Sequence, residues 1–239
     1  MNNKNREVLF RNIGYKDYKE TWDFQEELFN DILKTKTENR SLSEESKKPT
    51  SNYLLFVEHP HVYTLGKSGS DNNLLLNMIE LKAKNASFYK IDRGGDITYH
   101  GPGQIVGYPV FDLENFSLGL HKYVYNLEEA IIRTLKDYNI DAKRYEGATG
   151  VWLDPENPHY ARKICAIGIR TSRWVSMHGF AFNINTQLEY FDYINPCGFT
   201  DKKATSMQKE LGREVDMDEV RDKLKANLAN IFDFKLVDW

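Results

Sequence analysis

The chain reads Arg93-Gly-Gly-Asp-Ile-Thr-Tyr-His100-Gly-Pro-Gly-Gln104 over residues 93–104, a stretch called the glycine loop below. It holds four of the chain's 15 glycines and lies between apolar runs at 87–91 and 105–113. Glycines gather where the backbone turns sharply, takes a positive φ or comes close to a ligand. The loop also carries polar side chains able to position a ligand, namely Arg93, Thr98, Tyr99, His100 and Gln104. We therefore predict that the glycine loop forms the floor and rim of a substrate pocket.

The glycine loop matches neither of two common phosphate-binding loops. A dinucleotide fingerprint needs G-x-G-x-x-G between a strand and a helix, whereas Gly94-Gly95 lead into extended chain. Gly66-Lys67-Ser68 looks like the end of a P-loop, but residues 59–65 before it contain no glycine. These loops therefore give no support for nucleotide binding.

The composition fits one globular domain spanning residues 1–239. Hydrophobic residues make up 41% and aromatic residues 13% of the 239 positions, enough for a substantial core. No run approaches the ~18 apolar residues of a membrane span, and residues 1–6 lack the apolar segment of a signal peptide. A net charge of −3 argues against a nucleic-acid partner. We therefore predict a cytoplasmic protein with neither a membrane nor a nucleic-acid partner.

The spacing of apolar residues predicts an α+β fold, with a mixed or antiparallel β-sheet flanked by helices. Predicted strands cover 7–13, 53–58, 62–65, 87–91, 105–111 and 151–153, and a predicted hairpin covers 163–171 and 174–185. Predicted helices cover about 15–34, 74–84, 118–138 and 200–211, and a last helix begins at Asp216, which forms a capping-box pattern with Glu219.

Two features interrupt this pattern. Residues 35–52 are almost wholly polar, which predicts a solvated loop inserted into the domain. Pro109 lies inside the predicted strand 105–111 and has no backbone N–H to donate. We therefore expect that strand to lie at a sheet edge or to contain a bulge.

The two cysteines have different surroundings. Cys165 lies within the apolar strand sequence Ile164-Cys-Ala-Ile-Gly168, where a buried structural cysteine is expected. Cys197 lies in the irregular sequence Asn195-Pro-Cys-Gly198, which suits a partly exposed, reactive thiol. Two free thiols in a reducing compartment fit a chain of this length better than one disulfide.

Three side chains could activate a thiol nucleophile. Lys163 opens the hairpin and could lower the thiol pKa and carry its proton. His100 and His178 are the alternatives, since a Cys-His pair is the commoner arrangement. The sequence alone leaves all three open.

His59 and His61 are two residues apart, as metal ligands on a strand can be. Further ligands do not follow at a recognisable spacing, and neither Cys-x-x-Cys nor His-Glu-x-x-His occurs. We therefore predict neither a metal site nor a cofactor.

Several stretches together resemble the lipoyl(octanoyl) transferases. The glycine loop resembles the signature of that family, with Tyr108 four residues beyond its end. Three further stretches are similar to the family's lysine strand, the strand paired with it and its nucleophile loop, namely Lys163-Ile-Cys-Ala-Ile-Gly168, His178-Gly-Phe-Ala181 and Asn195-Pro-Cys-Gly198. Glu58-His-Pro-His-Val-Tyr-Thr-Leu-Gly66 resembles an earlier strand. The main departures are the polar insertion at 35–52 and a cysteine at 165, where a small residue such as alanine is expected.

The resemblance implies a fold related to the catalytic domain of biotin and lipoate protein ligases. It also implies transfer of an octanoyl group from octanoyl-acyl carrier protein, through a thioester on Cys197, to a lysine ε-amine of a lipoyl domain. Lys163 would complete a Cys/Lys dyad with Cys197. The acceptors would be the lipoyl domains of 2-oxoacid dehydrogenases and the glycine cleavage H protein. No cofactor is implied.

The resemblance further implies a set of substrate-binding residues, namely Arg93, Gly94, Gly95, Asp96, Ile97, Thr98, Tyr99, His100, Ala166, Ile167, Gly168, His178, Gly179, Phe180 and Ala181. Among them, Ile167, Phe180 and Ala181 would line a slot for the eight-carbon chain. The glycines at 94, 95, 168 and 179 would leave room for it.

Two other functions compete with acyl transfer. An ATP-dependent lipoate or biotin ligase would activate a free acid as its adenylate and would not need Cys197. A non-catalytic module would bind acylated carrier or lipoyl domains without forming an acyl-cysteine.

Overall fold

The computed structural model describes residues 4–195 and 203–239. Its twelve strands within those ranges are β1 Glu7–Tyr15, β2 Tyr53–Glu58, β3 Val62–Leu65, β4 Ser87–Lys90, β5 Ile97–His100, β6 Gln104–Val110, β7 Lys143–Tyr145, β8 Ala148–Leu153, β9 Arg162–Ser172, β10 Val175–Asn183, β11 Lys203–Ala204 and β12 Lys235–Asp238. The α-helices of the same ranges are α1 Tyr18–Asn39, α2 Met78–Ala83, α3 Leu120–Lys136, α4 Met207–Leu211 and α5 Met217–Phe232.

The strands form one large mixed sheet and one small sheet. In the large sheet the order is β12-β1-β2-β6-β10-β9-β8-β7, with β11 beside β9. The pairs β12–β1, β1–β2 and β11–β9 are parallel, whereas the other neighbours run antiparallel. The small sheet has the order β4-β3-β5. The predicted α+β class with a mixed sheet is confirmed.

Helices cover both faces of the large sheet. On one face, Leu127 of α3 and Leu224 of α5 belong to the same buried cluster as Ile105 of β6. On the other face, Phe29 of α1 belongs to a second cluster with Val106, the next residue of β6. Successive residues of a strand point to opposite faces, so β6 is buried on both. Across the described residues, no helix is long and apolar enough to cross a membrane.

The first part of residues 35–52 is helical, so the prediction of a loop beginning at 35 is wrong. Helix α1 continues to Asn39, and a 3-10 turn follows at Glu44–Ser46. The Thr35 and Thr37 hydroxyls donate to the carbonyl oxygens of Asp31 and Leu33, which keeps two polar residues compatible with the helix. The apolar pattern ends near residue 34 because the remaining turns of α1 carry only polar side chains, of which Lys36 is 13% exposed and paired with Asp112.

The edge position predicted from Pro109 is also wrong, since β6 lies between β2 and β10. The β6–β10 ladder covers Gln104 to Gly107 and stops before Pro109. The Pro109 carbonyl instead accepts a hydrogen bond from the Ser176 hydroxyl at 2.8 Å. His178, farther along β10, has a φ of +60°, outside the range usual for a strand residue. The register is the same on both sides of the interruption, since Gly107 pairs with Phe180 and Asp112 with Val175, so the predicted bulge is absent as well.

The other boundaries differ less. The β9–β10 turn is at Arg173-Trp174, with φ values of +47° and +64°, one residue later than predicted. Positive φ at both positions is the geometry of a type I′ turn. The helix predicted over 200–211 begins at Met207, while residues 200–202 lie outside the described residues. Gly212 ends that helix with a φ of +67°.

Candidate active site

A cleft of about 990 Å³ lies between the large and the small sheet. The walls come from β5 and the glycine loop on one side and from β8, β9 and β10 on the other. All the predicted binding residues except Gly94 and Tyr99 line this cleft, and Lys163 lines it as well. Cys197 lies outside the described residues. The fold thus brings together motifs that are far apart in the sequence.

Gly94 and Tyr99 have other contacts. The Gly94 amide donates to the Ile169 carbonyl at 2.9 Å, which fastens the glycine loop to β9. The Tyr99 ring packs against Tyr190, and its hydroxyl lies 2.7 Å from Nδ1 of His61. A binding role for either residue stays a prediction.

Arg93 braces the glycine loop from within. Its guanidinium donates to the Thr64 carbonyl at 2.7 Å, to the Thr64 hydroxyl at 3.0 Å and to the Gly94 carbonyl at 3.0 Å. The side chain is buried against β9, where a Cβ on Gly168 would lie 2.9 Å from its Cδ. The loop therefore owes its shape to an arginine that lies between the two sheets.

This packing corrects part of the predicted acyl slot. A Cβ on Gly168 would meet Arg93 and the Gly94 carbonyl, and one on Gly179 would lie 2.1 Å from the Gly107 carbonyl oxygen. These two glycines therefore admit neighbouring protein atoms rather than leave room for a chain. The remaining space lies along Ile167, Phe180 and Ala181, which do line the cleft.

The backbone amides of Gly66-Lys67-Ser68 are likewise hydrogen-bonded to the glycine loop. The amides of these three residues donate to the carbonyl oxygens of Asp96, Arg93 and Gly95 at 3.0–3.2 Å. They hold the loop in place instead of facing a phosphate. The interpretation that this sequence is not a P-loop is consistent with these contacts.

His100 is a neutral, fully bonded side chain at the back of the cleft. Its Nδ1 lies 3.2 Å from Oε1 of Gln104, which can only accept, so Nδ1 carries the proton. Nε2 then accepts from the Thr64 hydroxyl at 3.3 Å. Burial holds the pKa of His100 well below its usual value, and the ring stacks on Tyr18. Both ring nitrogens of His100 are therefore engaged within the protein, which disfavours it as the base.

His178 is held by a carboxylate. Its Nε2 donates to Oδ1 of Asp92 at 3.0 Å, while Arg170 contacts the other oxygen at 2.6 Å. The hydrogen bond from His178 holds the pKa of Asp92 below its usual value, so Asp92 is the anion of the group. Burial lowers the pKa of His178, whose side chain is only 2% exposed. The histidine is therefore fixed in position at the edge of the cleft.

Lys163 lies at an irregularity between β8 and β9. Trp152 pairs with Lys163 while Val151 pairs with Cys165, so Ile164 is the extra residue of a bulge. The Lys163 ammonium lies 4.6 Å from the centre of the Trp152 ring. A Cβ on Gly150, whose φ is +123°, would lie 3.5 Å from Cε of Lys163. The Lys163 ammonium therefore lies over the Trp152 ring, and both residues line the cleft.

Cys165 faces the core on the far side of β9. It is fully buried in the cluster that includes α3 and α5. Burial raises the pKa of its thiol far above the usual value. The prediction of a buried structural cysteine at this position is confirmed.

The described residues on either side of 196–202 also line the cleft. The Asn195 amide donates to the Asn73 carbonyl at 2.8 Å. On the other side, Lys203 and Ala204 form β11 and pair with Arg162 and Lys163 of β9. The chain therefore re-enters the described structure beside Lys163.

Sequence reasoning missed several residues of the cleft, including Tyr18, Trp152 and Asn183. Tyr18 comes from α1 and stacks on His100. Trp152 and Asn183 come from strands whose register no local pattern reveals. Both lie inside the predicted strands 151–153 and 174–185, which gives no signal of a place in the cleft.

His59 and His61 serve the fold. His59 bridges the Lys16 carbonyl and the Tyr108 hydroxyl, each at 2.8 Å. His61 stacks on Tyr190 with ring centres 4.0 Å apart. Within residues 4–195 and 203–239, histidine, cysteine and acidic side chains form no group of three able to hold a metal ion.

Acid is expected to destabilise the protein through His59. Burial lowers its pKa to about 4, below the unfolded value of about 6.5, so the folded state binds fewer protons. This contribution to stability is present above pH ~6.5 and is lost as the pH falls toward 4, by about 2–3 kcal/mol. Urea unfolding between pH 7 and 4.5 should show a shallower pH dependence for His59→Gln than for the parent.

His121→Gln, at an exposed histidine of α3, is the matched control and should keep the parental dependence. Identical pH dependences for His59→Gln and the parent would contradict the expectation.

Comparison with known proteins decides the family. The sequence profile of the lipoyl protein ligase A/B catalytic domain matches residues 17–229. The chain belongs to this family. It is 58% identical to an octanoyltransferase of Christiangramia forsetii over 97% of this chain and 98% of that one. An octanoyltransferase of Flavobacterium johnsoniae is also 58% identical, over 98% of this chain and 100% of that one.

The family's fold is seen in a solved structure. The bipartite lipoate protein ligase of Thermoplasma acidophilum, described together with its E2 lipoyl domain, matches with a TM-score of 0.65 at 15% identity. The match covers 99% of this chain and 87% of that one. The predicted relationship of the fold to biotin and lipoate protein ligases is confirmed.

Proposed function

We propose that this protein is an octanoyltransferase of protein lipoate biosynthesis. It takes the octanoyl group from octanoyl-acyl carrier protein and passes it to a lysine of lipoyl domains, in 2-oxoacid dehydrogenases and in the glycine cleavage H protein. The reaction takes place in the cytoplasm. The observation that carries the proposal is 58% identity to octanoyltransferases over nearly the whole chain, combined with one cleft that gathers the glycine loop and Lys163.

The nucleophile of the proposed reaction is Cys197. It lies outside the described residues, but Asn195, two positions earlier, lines the cleft. The other cysteine, Cys165, faces the opposite side of the sheet. These facts favour Cys197 over Cys165.

Lys163 is the proposed partner of the thiol. A cation beside a thiol lowers its pKa and increases the fraction present as the thiolate. The two histidines weighed against Lys163 are less suited, because His100 has both nitrogens engaged and His178 is directed toward Asp92. Lys163 lines the cleft and lies on the strand that pairs with β11.

The reaction then has two acyl-transfer steps. The Cys197 thiolate attacks the carbonyl carbon of the octanoyl thioester, a new carbon–sulfur bond forms, and the carrier thiol leaves with a proton from Lys163. The ε-amine of the lipoyl-domain lysine next attacks the octanoyl-cysteine carbonyl. The amine gives its proton to Lys163, which the first step left neutral; the carbon–nitrogen bond of the amide forms, the carbon–sulfur bond breaks, and the cysteine leaves as the thiolate. Conversion of a thioester to an amide is favourable, so no ATP is consumed.

The apolar part of the cleft suits the octanoyl chain. Val106, Ile167, Phe180 and Ala181 line it in the large sheet, and Ile97 lines it from β5. Burial of methylene groups contributes about 0.8 kcal/mol each, which gives several kcal/mol for the chain. The same residues bind the group in the donor and in the enzyme thioester, so the chain stays in place between the two steps.

Mass spectrometry tests this function. After incubation with octanoyl-carrier, the intact protein should gain one octanoyl group, and peptide mapping should find it on Cys197. The adduct should disappear when an acceptor lipoyl domain is added, and Cys165→Ala should still form it. Transfer that requires free octanoate and ATP and survives thiol alkylation would instead indicate a ligase. Tight carrier binding without any adduct would indicate a non-catalytic binding module.

A further inference from the structure

A buried chain of polar side chains joins the glycine loop to the strand beside Lys163. Gln104 is 1% exposed, and its amide nitrogen donates to the Asn183 side-chain oxygen at 2.8 Å. The amide nitrogen of Asn183 donates in turn to the Thr205 carbonyl at 2.9 Å. Asn183 is itself 4% exposed. One asparagine therefore bridges the end of β10, the start of β6 and the residue that follows β11.

At the glycine-loop end of this chain of side chains, both the oxygen and the nitrogen of the Gln104 amide are hydrogen-bonded. Gln104 uses its oxygen to accept from His100 and its nitrogen to donate to the Tyr99 carbonyl as well as to Asn183. His100 lines the cleft. A displacement of the glycine loop therefore changes the position of Gln104 and, through it, of Asn183.

The opposite end is fixed at three atoms of Thr205. Its carbonyl accepts from Asn183, its amide donates to the Lys163 carbonyl at 2.9 Å, and its hydroxyl donates to Glu210. Glu210 accepts two hydrogen bonds from Arg162, at 2.7 and 2.6 Å, and these bonds hold the pKa of Glu210 below its usual value. Thr205 is fully buried. The backbone of Lys163 is thus linked to the same chain of side chains.

We propose that Gln104 and Asn183 are positioning residues for the acyl-transfer reaction, through which the glycine loop sets the placement of β11 against Lys163. Neither residue performs chemistry. The inference rests on the proposed function, because the two residues matter only if Lys163 takes part in acyl transfer in this cleft. Buried amide networks are costly to leave half-bonded, so the network defines one arrangement of the two walls.

Asn183→Asp isolates one bond of the network. The aspartate keeps the size of the side chain and can still accept from Gln104, but it has no N–H to donate to the Thr205 carbonyl. Because misplacement of a reacting group by about 1 Å can reduce the rate about 100-fold, we expect kcat to fall about 10- to 100-fold. The KM for octanoyl-carrier should change less than about threefold, since the apolar lining is untouched.

The pH profile of single-turnover transfer provides a readout that simple destabilisation would not move. Its acidic limb reports the ionisation of the reacting pair. In Asn183→Asp this limb should shift to higher pH, because Lys163 is no longer held in register with β11. Asn183→Ser, which restores a short donor, should recover part of the rate.

Asn115→Asp is the matched control. Asn115 is another buried asparagine, and its amide donates to Thr50 and Asn52 in a groove away from the cleft. This variant should be destabilised yet keep the parental kcat and pH profile. An unshifted limb in Asn183→Asp, or an equal shift in Asn115→Asp, would overturn the inference. If Asn183→Asp does not fold, Gln104→Glu, which lacks the donors to Asn183 and Tyr99, replaces it under the same criteria.

The proposed function fails separately. If the parent protein transfers no octanoyl group from the carrier, the function itself is wrong. If the parent transfers the octanoyl group and the Asn183 variants keep the parental rate and pH profile, the function stands and the positioning role is wrong.

Discussion

Replacing Cys197 by serine is expected to reduce octanoyl transfer by at least about 10³-fold. A serine hydroxyl is far less acidic than a thiol, so Lys163 cannot hold it ionised at neutral pH, and without the thiolate the first step has no nucleophile. The measurement is the rate of lipoyl-domain octanoylation with octanoyl-carrier as donor. The serine variant should still bind the carrier, because the apolar lining of the cleft is unchanged.

The matched control is the second cysteine. Cys165→Ala removes a thiol that is fully buried against the helices on the far face of the sheet, and burial raises its pKa far above the usual value. We expect this variant to keep most of the parental rate and to lose about 1 kcal/mol of stability, as a small buried truncation does. Parental activity in Cys197→Ser, or loss of activity in Cys165→Ala with an intact fold, would contradict the nucleophile assignment.

Local patterns in the sequence were enough to predict most of the fold. Helices α3 and α5 have clear apolar spacing, and the predicted range of α3 and the predicted start of α5 agree with the observed ones to within two residues. Helix α1 continued past its predicted end because its last turn is amphipathic only through Lys36, which pairs with Asp112 and Glu114 of a distant loop. An ion pair of that kind has no local sequence signature.

Pro109 shows a second limit of sequence reasoning. A proline removes one ladder donor, and the sequence rule places it at a sheet edge. Here the neighbouring strand adapts instead: His178 of β10 takes a φ of +60°, and Ser176 donates its hydroxyl to the Pro109 carbonyl. The adaptation depends on residues almost 70 positions away in the chain. Such compensation can be seen only once the strands are paired.

The candidate site was predictable as a set of motifs but not as a geometry. The glycine loop and the His178-Gly-Phe-Ala181 strand do line one cleft with Lys163. The sequence did not reveal that Gly168 and Gly179 admit Arg93 and the Gly107 carbonyl rather than an acyl chain. It also did not reveal Trp152 beside Lys163, because a bulge in β9 sets that pairing. Close packing between distant segments decided both.

Replacing Lys163 by methionine is expected to reduce octanoyl transfer about 100- to 1,000-fold, the range over which a positioned proton-transfer group acts. Methionine keeps the length and the contact with the Trp152 ring but carries no charge. The variant tests the ammonium itself. The pH dependence of Cys197 alkylation should change with it: the parental midpoint should lie below the ordinary thiol value of about 8.5, and the variant should move toward that value.

Two further variants separate charge from proton transfer and from general packing. Lys163→Arg keeps a cation, so the alkylation midpoint should stay low, yet a guanidinium does not release its proton, and the transfer rate should still fall. Lys122→Met removes another lysine that lies over an aromatic ring, 4.5 Å from the centre of Tyr125 on α3 and outside the cleft, and should behave as the parent does. If Lys163→Met retained both the parental rate and the parental alkylation midpoint, the thiol would owe its reactivity to another group. His178, held against Asp92 at the same cleft, would then be the first to test, because His100 already has both nitrogens engaged.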